Sequence, residues 1–468
     1  MLRHFIFTCL LSLLFFINSR AQSTSFEGTW HGTMVVIGQS HELLIDISKN
    51  KKKYTLKMLN PDDSTSLGIA VDKVTVKGNN LYFEVSSLNV TYSGVLSEKQ
   101  VIEGEFQQYG LKATLNFHKE RQEKIVVKRP QEPLPPFDYY TKDVLFSHIS
   151  ESFDFGGTLV LPKDTTTNFP IVVFSSGSGP QDRNEEILGH KLFLVVADHL
   201  AKNGIGSFRF DDRGVGESGG KFEGTSLTGF ASDLESAYLY IAQQDRFKSH
   251  PIGLLGHSEG SMHAQMVAKN HPEVAFIISL AGPGETGRKV IEDQQYLIMI
   301  YDGKSEEVAL WNKATFSGML DIIDVHDQRE AQKLIAEFLN NQWEKAPKGG
   351  RDGQTKVTFM TGLASFLNND FGREFSIWDA SNYLPYINVP ILSIIGEKDF
   401  QVPGESNSKG FEKLLSDRSR EKSEIHLLEG LNHLLQKCDK CNFIEYGELE
   451  ETIHPPVLDI IVKFIQKL

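Results

Sequence analysis

A serine set between glycines, Gly256-His257-Ser258-Glu259-Gly260, is the first place in this sequence where residue types and spacing point to chemistry. The apolar run 252–255 precedes it and a helix-compatible stretch, 261–270, follows, which is the strand, turn and helix setting of a nucleophile elbow. Glycine on either side removes Cβ atoms that would collide at a strained turn. The Ser258 hydroxyl then projects past the strand end, and the Glu259 main-chain N–H points toward a developing oxyanion. A serine hydroxyl is a weak nucleophile until a base takes its proton, and the base needs an acid to orient it. Both follow downstream. The strand-like run 391–395 ends in Gly396-Glu397-Lys398-Asp399, and the run 425–428 ends in Glu429-Gly430-Leu431-Asn432-His433. Asp399 and His433 therefore lie beyond the carboxyl ends of two strands, where open α/β sheets place their sites. Glu397 is the rival acid, two residues nearer its strand.

A second oxyanion donor is expected from the loop after an early strand. The run 171–174 leads into Ser175-Ser176-Gly177-Ser178-Gly179-Pro180, and the main-chain N–H of Ser178 is the candidate donor. Removing one such donor costs roughly 3–4 kcal/mol of transition-state stabilisation. His257 is read as packed inside the elbow, His263 and His271 as helix residues, and His426 as a strand residue. Asp212, Arg213 and Gly216 read as a turn, with Arg213 paired to a carboxylate beneath the site. Asp182 and Arg183 follow the donor loop and are either structural or in contact with substrate. Trp378 and Phe375 are read as packing residues.

These residues need elements to position them. From 157 onward, apolar runs (157–161, 171–174, 207–210, 252–255, 276–280, 391–395, 425–428) alternate with helical segments such as 192–201 and 227–242. Near-continuous apolar strands interleaved with helices predict a mostly parallel sheet covered on both faces. Between 283 and 383 the alternation stops, and helical patterning at 290–301, 306–319 and 329–343 predicts a helical cap, placed at about 284–383. Residues 26–117 show period-two runs separated by turn signals, which predicts a small antiparallel β-barrel or sandwich. Pro130, Pro133, Pro135 and Pro136 mark a semi-rigid connector. The expected organisation is an export signal over 1–21, a β domain over 22–120, a linker over 121–138 and an α/β domain over 139–468.

The export signal rests on Arg3 and His4, the apolar run 5–17 and the small residues before Gln22. That run is short of the roughly 18 residues of a membrane span, and no later stretch reaches them. A secreted or periplasmic protein without stable membrane insertion is expected. Losing Arg3 and Arg20 with the signal takes the formal charge from -13 to -15. An acidic surface opposes binding to nucleic-acid phosphates. Cys438 and Cys441 are spaced for a local disulfide in an oxidising compartment, and alone they cannot complete a four-ligand zinc site.

Five segments carry a resemblance: Gly177-Ser178-Gly179-Pro180-Gln181-Asp182-Arg183, Asp212-Arg213-Gly214-Val215-Gly216-Glu217-Ser218, Gly256-His257-Ser258-Glu259-Gly260, Gly396-Glu397-Lys398-Asp399 and Leu431-Asn432-His433. In this order, over about 340 residues, they resemble the bacterial α/β-hydrolase carboxylesterases grouped with prolyl-oligopeptidase-like and serine aminopeptidase-like hydrolases. The start Gly28-Thr29-Trp30 resembles that of lipocalin-like domains. Where relatives carry His-Gly before the oxyanion residue, this chain has Ser176-Gly177. The resemblance implies an α/β-hydrolase fold, a Ser258, Asp399, His433 triad, and hydrolysis of small acyl esters without metal or cofactor. A peptidase using the same groups, and an inert hydrolase fold behind a lipid- or glycan-binding β domain, are the competing readings.

Overall fold

The computed structural model describes residues 25–36, 39–51, 53–59, 68–88, 90–108, 111–123, 128–352, 355–357, 359–360 and 367–468. Residues 1–21, read as an export signal, and part of the 121–138 linker lie outside them. The chain divides into two compact units, one comprising 1–34 and 42–124, the other 35–41 and 125–468.

The first unit is a single antiparallel sheet of β1 (Gly28–Val36), β2 (Gln39–Asn50), β3 (Lys53–Leu59), β4 (Ile69–Ala70), β5 (Lys73–Lys77), β6 (Asn80–Val85), β7 (Val90–Leu96), β8 (Ile102–Gln108), β9 (Leu111–Thr114) and β10 (Asn116–His118). The order is β4-β3-β2-β1-β10-β8-β7-β6-β5, with β9 paired to β8, so β4 and β5 remain at opposite ends of a curled half-barrel. Its strands alternate because one face is dry. Trp30, Ile45, Phe83, Tyr92, Ile102 and Phe117 are almost fully buried. The Trp30 Nε1–H donates to the Phe26 carbonyl at 2.7 Å, and the Tyr92 hydroxyl reaches the carbonyls of Ile102 and Leu115. Among the described residues these side chains pack the dry face of the sheet.

The second unit is built on an eight-stranded sheet: β11 (Tyr140–Ser147), β12 (Asp154–Leu161), β13 (Ile171–Ser175), β16 (Gly206–Phe210), β17 (Ile252–His257), β18 (Ile277–Leu280), β19 (Ile391–Gly396) and β20 (Glu424–Leu428). A two-stranded ribbon, β14 (Glu186–Ile187) with β15 (His190–Lys191), stands apart. The order is β11-β12-β16-β13-β17-β18-β19-β20. Strands from β16 to β20 pair in parallel, and β12 alone runs against the rest. The edge strand β11 is mostly exposed, so it carries no apolar run and the sequence pattern does not reveal it.

Burial on both faces explains the continuous apolar strands. In β13, Ile171 and Val173 pack with α2 (Leu227–Ala242) and α3 (Glu259–Asn270), whereas Val172 and Phe174 pack with α1 (Leu192–Lys202) and the last helix, Pro455–Lys467. Among the described residues, the segment between β18 and β19 contains the helices α4 (Gly287–Tyr301), α5 (Glu306–Val325), α6 (Gln328–Glu344) and the shorter Asp370–Ile377. Thr286, Ser305, Asp327 and Asn369 cap their N-termini by accepting from main-chain N–H groups. Phe316, Met319, Leu320, Ile335 and Leu339 give this helical layer its own core.

The Pro-rich connector is docked where it enters the second unit. Arg129 donates to the carbonyls of Gly189, Leu449 and Gly447 at 3.0, 2.7 and 2.8 Å. Ile394 in the middle of β19 has no exposed surface. Ile394→Ala should destabilise this unit by about 2–5 kcal/mol, read as a lower denaturant midpoint of its unfolding transition.

Candidate active site

Ser258 sits between β17 and α3 with φ 52° and ψ -120°, a strained backbone for a residue with a side chain. The two glycines are forced by contact. A Cβ on Gly256 would lie 2.1 Å from the Gly260 carbonyl, and one on Gly260 would lie 2.1 Å from the Ser175 carbonyl oxygen. The Ser258 N–H donates to the Leu280 carbonyl at 2.8 Å, which ties the turn to β18.

Asp399 and His433 lie against each other near this turn. Asp399 is buried, its Oδ1 accepting the N–H groups of Gln401 and Val402 at 2.9 and 2.8 Å. Its Oδ2 lies 2.8 Å from His433 Nδ1. Two main-chain donors and the His433 ring nitrogen thus hold the Asp399 carboxyl group in place. Glu397, the rival acid, turns away and accepts the Gly430 N–H at 3.1 Å. The His433 main-chain N–H donates to the Tyr446 hydroxyl at 3.3 Å. Burial raises the Tyr446 pKa well above its ordinary value, so this phenol stays neutral. Ser258 and His433 line one cavity, and the Ser258 hydroxyl makes no hydrogen bond among the described residues.

The donor loop is held from three directions. The Gly177 N–H is taken by Glu185 Oε1 at 2.7 Å. The Ser178 hydroxyl donates to Glu259 Oε2 at 2.5 Å, and the Ser176 hydroxyl to Asp212 Oδ1 at 2.6 Å. Asp212 also accepts the Gln181 N–H at 2.8 Å. Burial first, with the nearby Glu259 and Glu185 carboxylates, raises the Asp212 pKa well above the usual carboxylate range. The main-chain N–H groups of Ser178 and Glu259 have no partner among the described residues, and both residues border the cavity.

Other candidates resolve into structure. Arg213 makes a two-pronged pair with the buried Asp233, Nε to Oδ2 at 2.7 Å, and also reaches Glu151 at 3.1 Å. Arg183 bridges Asp211 and Glu217 at 2.6 Å each, while Asp182 caps the main chain at Asn184 and Glu186. Neither Asp182 nor Arg183 lines the cavity. Trp378 is buried in the core below, but Phe375 lines the cavity, a correction to its reading as packing alone. Packing against α4 turns that end of the helix Asp370–Ile377 inward. Cys438 and Cys441 are joined in a disulfide. Glu445 beside them accepts the N–H groups of Asp439, Lys440 and Cys441, which leaves that cluster a closed loop.

The cavity measures about 360 Å³. Ile187, Leu188, Val290, Ile291, Phe371, Phe375, Leu434 and Phe443 make most of its wall apolar. Sequence reasoning did not single out Glu185 or Tyr446. Neither belongs to a motif, and each acts only through contacts with distant segments.

A family model described as serine aminopeptidase, S33, matches residues 190–338. Esterase EstD of Thermotoga maritima is 23% identical over 317 residues, covering 66% of this chain and 65% of the esterase, just under two thirds of its length. Among solved structures, the Pyrococcus furiosus esterase Pf2001 aligns over 73% of this chain and 97% of its own, with 16% identity and a TM-score of 0.42. Proline iminopeptidase of Mycobacterium smegmatis aligns over 70% and 98%, with 14% identity and a TM-score of 0.43. Over residues 190–338 the chain is thus similar to the serine aminopeptidase, S33, family, and its second unit has the sheet topology of an α/β-hydrolase fold, with an antiparallel β domain before it.

Proposed function

We propose that this hydrolase is a serine carboxylesterase that forms an acyl-enzyme on Ser258. The observation that carries the reading is the pairing of Asp399 with His433 at 2.8 Å beside the free Ser258 hydroxyl, at the wall of an apolar cavity. His433 takes the proton of Ser258 as its oxygen attacks the ester carbonyl carbon. The Ser178 and Glu259 N–H groups receive the oxyanion, and His433 returns the proton to the departing alcohol. Water then attacks the acyl carbonyl as His433 takes its proton, and His433 passes that proton to the Ser258 oxygen as the acid departs.

Two features favour an ester over a peptide with a free amino end. The cavity wall is mainly aliphatic and aromatic. Glu259, the carboxylate bordering it, already accepts the Ser178 hydroxyl on one oxygen. Among the described lining residues no other carboxylate is present to hold a substrate ammonium. The serine aminopeptidase family match keeps peptidase action as the second reading. Turnover of aminoacyl p-nitroanilides above that of p-nitrophenyl esters would favour it. The Cys438–Cys441 disulfide supports action in an oxidising compartment, in line with the export signal read in the sequence.

Ser258→Ala should lower kcat on p-nitrophenyl butyrate by roughly six orders of magnitude, and Asp399→Asn by about four. Loss of fluorophosphonate labelling in Ser258→Ala provides the parallel check, and a fully active Ser258→Ala protein would overturn the proposal. Each buried methylene contributes about 0.8 kcal/mol, so kcat/KM should rise roughly tenfold from acetate to butyrate esters. A kcat/KM that falls steadily along that series would contradict an apolar acyl site.

A further inference from the structure

Glu185 combines three unfavourable features. It has no exposed surface. Its backbone adopts φ 50°, a left-handed conformation uncommon for a residue with a side chain. Its Oε2 has no hydrogen-bond partner among the described residues. Costs of this kind collect at functional sites, where surrounding structure enforces them. The other oxygen, Oε1, accepts both the Gly177 N–H at 2.7 Å and the His257 Nδ1–H at 2.9 Å.

His257 is equally constrained. It is 1% exposed, and its Nε2 lies 3.2 Å from the His433 carbonyl oxygen. Each ring nitrogen therefore faces an oxygen that only accepts. A neutral imidazole has one N–H and would press a lone pair against one of those oxygens, whereas the doubly protonated ring donates to both. Burial opposes the charged ring, and the Glu185 carboxylate, helped by the His433 carbonyl and by Asp399, more than offsets it, so the His257 pKa is raised.

We propose that Glu185 and His257 form a buried carboxylate–imidazolium pair that positions the reacting groups from beneath, Glu185 holding the oxyanion loop through Gly177 and His257 holding the His433 loop through its carbonyl. Both are positioning residues, and the proposal rests on the esterase reading of Ser258, Asp399 and His433. Gly177 is where the pieces converge. A Cβ there would lie 3.2 Å from Ser258 Cβ, 3.3 Å from Glu185 Oε1 and 3.4 Å from His257 Nδ1. Displacing this loop moves the adjoining Ser178 N–H relative to the Ser258 oxygen. The charged or titratable groups facing the pair are Asp212 toward Glu185, and His433 and Asp399 toward His257. Because the His257 pKa is raised in the fold, the pair is intact below that pKa and is lost as pH rises through it.

The test is steady-state hydrolysis of p-nitrophenyl butyrate across pH by the full chain, as wild type, Glu185→Gln, His257→Gln and the double variant, each checked for folding by circular dichroism. Each single change should lower kcat by up to about 100-fold with KM little altered. The alkaline limb of kcat/KM should move to lower pH in Glu185→Gln and vanish in His257→Gln. The double variant should lose no more than the worse single variant. Folded variants with wild-type kcat and an unshifted alkaline limb, or losses that multiply, would overturn the inference. If neither variant folds, the wild-type profile decides, and the lack of an alkaline limb refutes the pair. Ser258→Ala separates the two levels: activity retained there refutes the esterase reading, whereas an inactive Ser258→Ala beside unaffected pair variants refutes only this inference.

Discussion

Gly260 approaches the carbonyl of Ser175 so closely that a single added carbon would lie 2.1 Å from its oxygen, and this contact sets the Ser258 turn against the loop that leaves β13. It lets α3 begin directly against the end of β13. The loop that leaves β13 is thereby held over the Ser258 turn, with the Ser178 and Glu259 N–H groups on the same cavity wall. The strain at Ser258, on the order of 1–3 kcal/mol, persists because β17 and β18 are buried on both faces and leave the turn no room to relax.

The remaining groups are held by polar contacts more than by apolar packing. Asp399 is anchored by two main-chain N–H groups, and His433 by Asp399, by the Tyr446 hydroxyl and through its carbonyl by His257. Tyr446 belongs to a segment that begins at the Cys438–Cys441 disulfide and is fastened by Arg129 to the main chain at Gly447 and Leu449. The connector between the units is in this way part of the support for the His433 loop. Buried ion pairs such as Arg213 with Asp233 lie one layer further out, where breaking one partner would leave an uncompensated charge.

Local chain rules set a large part of this in the sequence itself. The order of strands and helices, the glycine-serine-glycine turn, and Asp399 and His433 just past two strand ends all follow from short-range periodicity and sterics, because a strand buried on both faces must be apolar throughout. Among the described residues, helices between β18 and β19 begin at Thr286, Ser305, Asp327 and Asn369, each a side chain able to accept from the first helical turn. The exposed β11 carries no such signal.

Only the tertiary structure decided which of the carboxylates and aromatics matter. Asp399 and Glu397 are two residues apart and chemically alike, and the fold separates them by aiming one at His433 and the other at the Gly430 N–H. Phe375 reads as a packing residue until the helix that bears it turns it into the cavity. Glu185 lies 72 residues before His257, and His257 meets the carbonyl of a residue 176 positions away. No periodicity spans such distances. The sequence determined the candidate triad residues and the strands that carry them, since those depend on neighbouring residues, while their support depends on contacts that exist only once the sheet has closed around them.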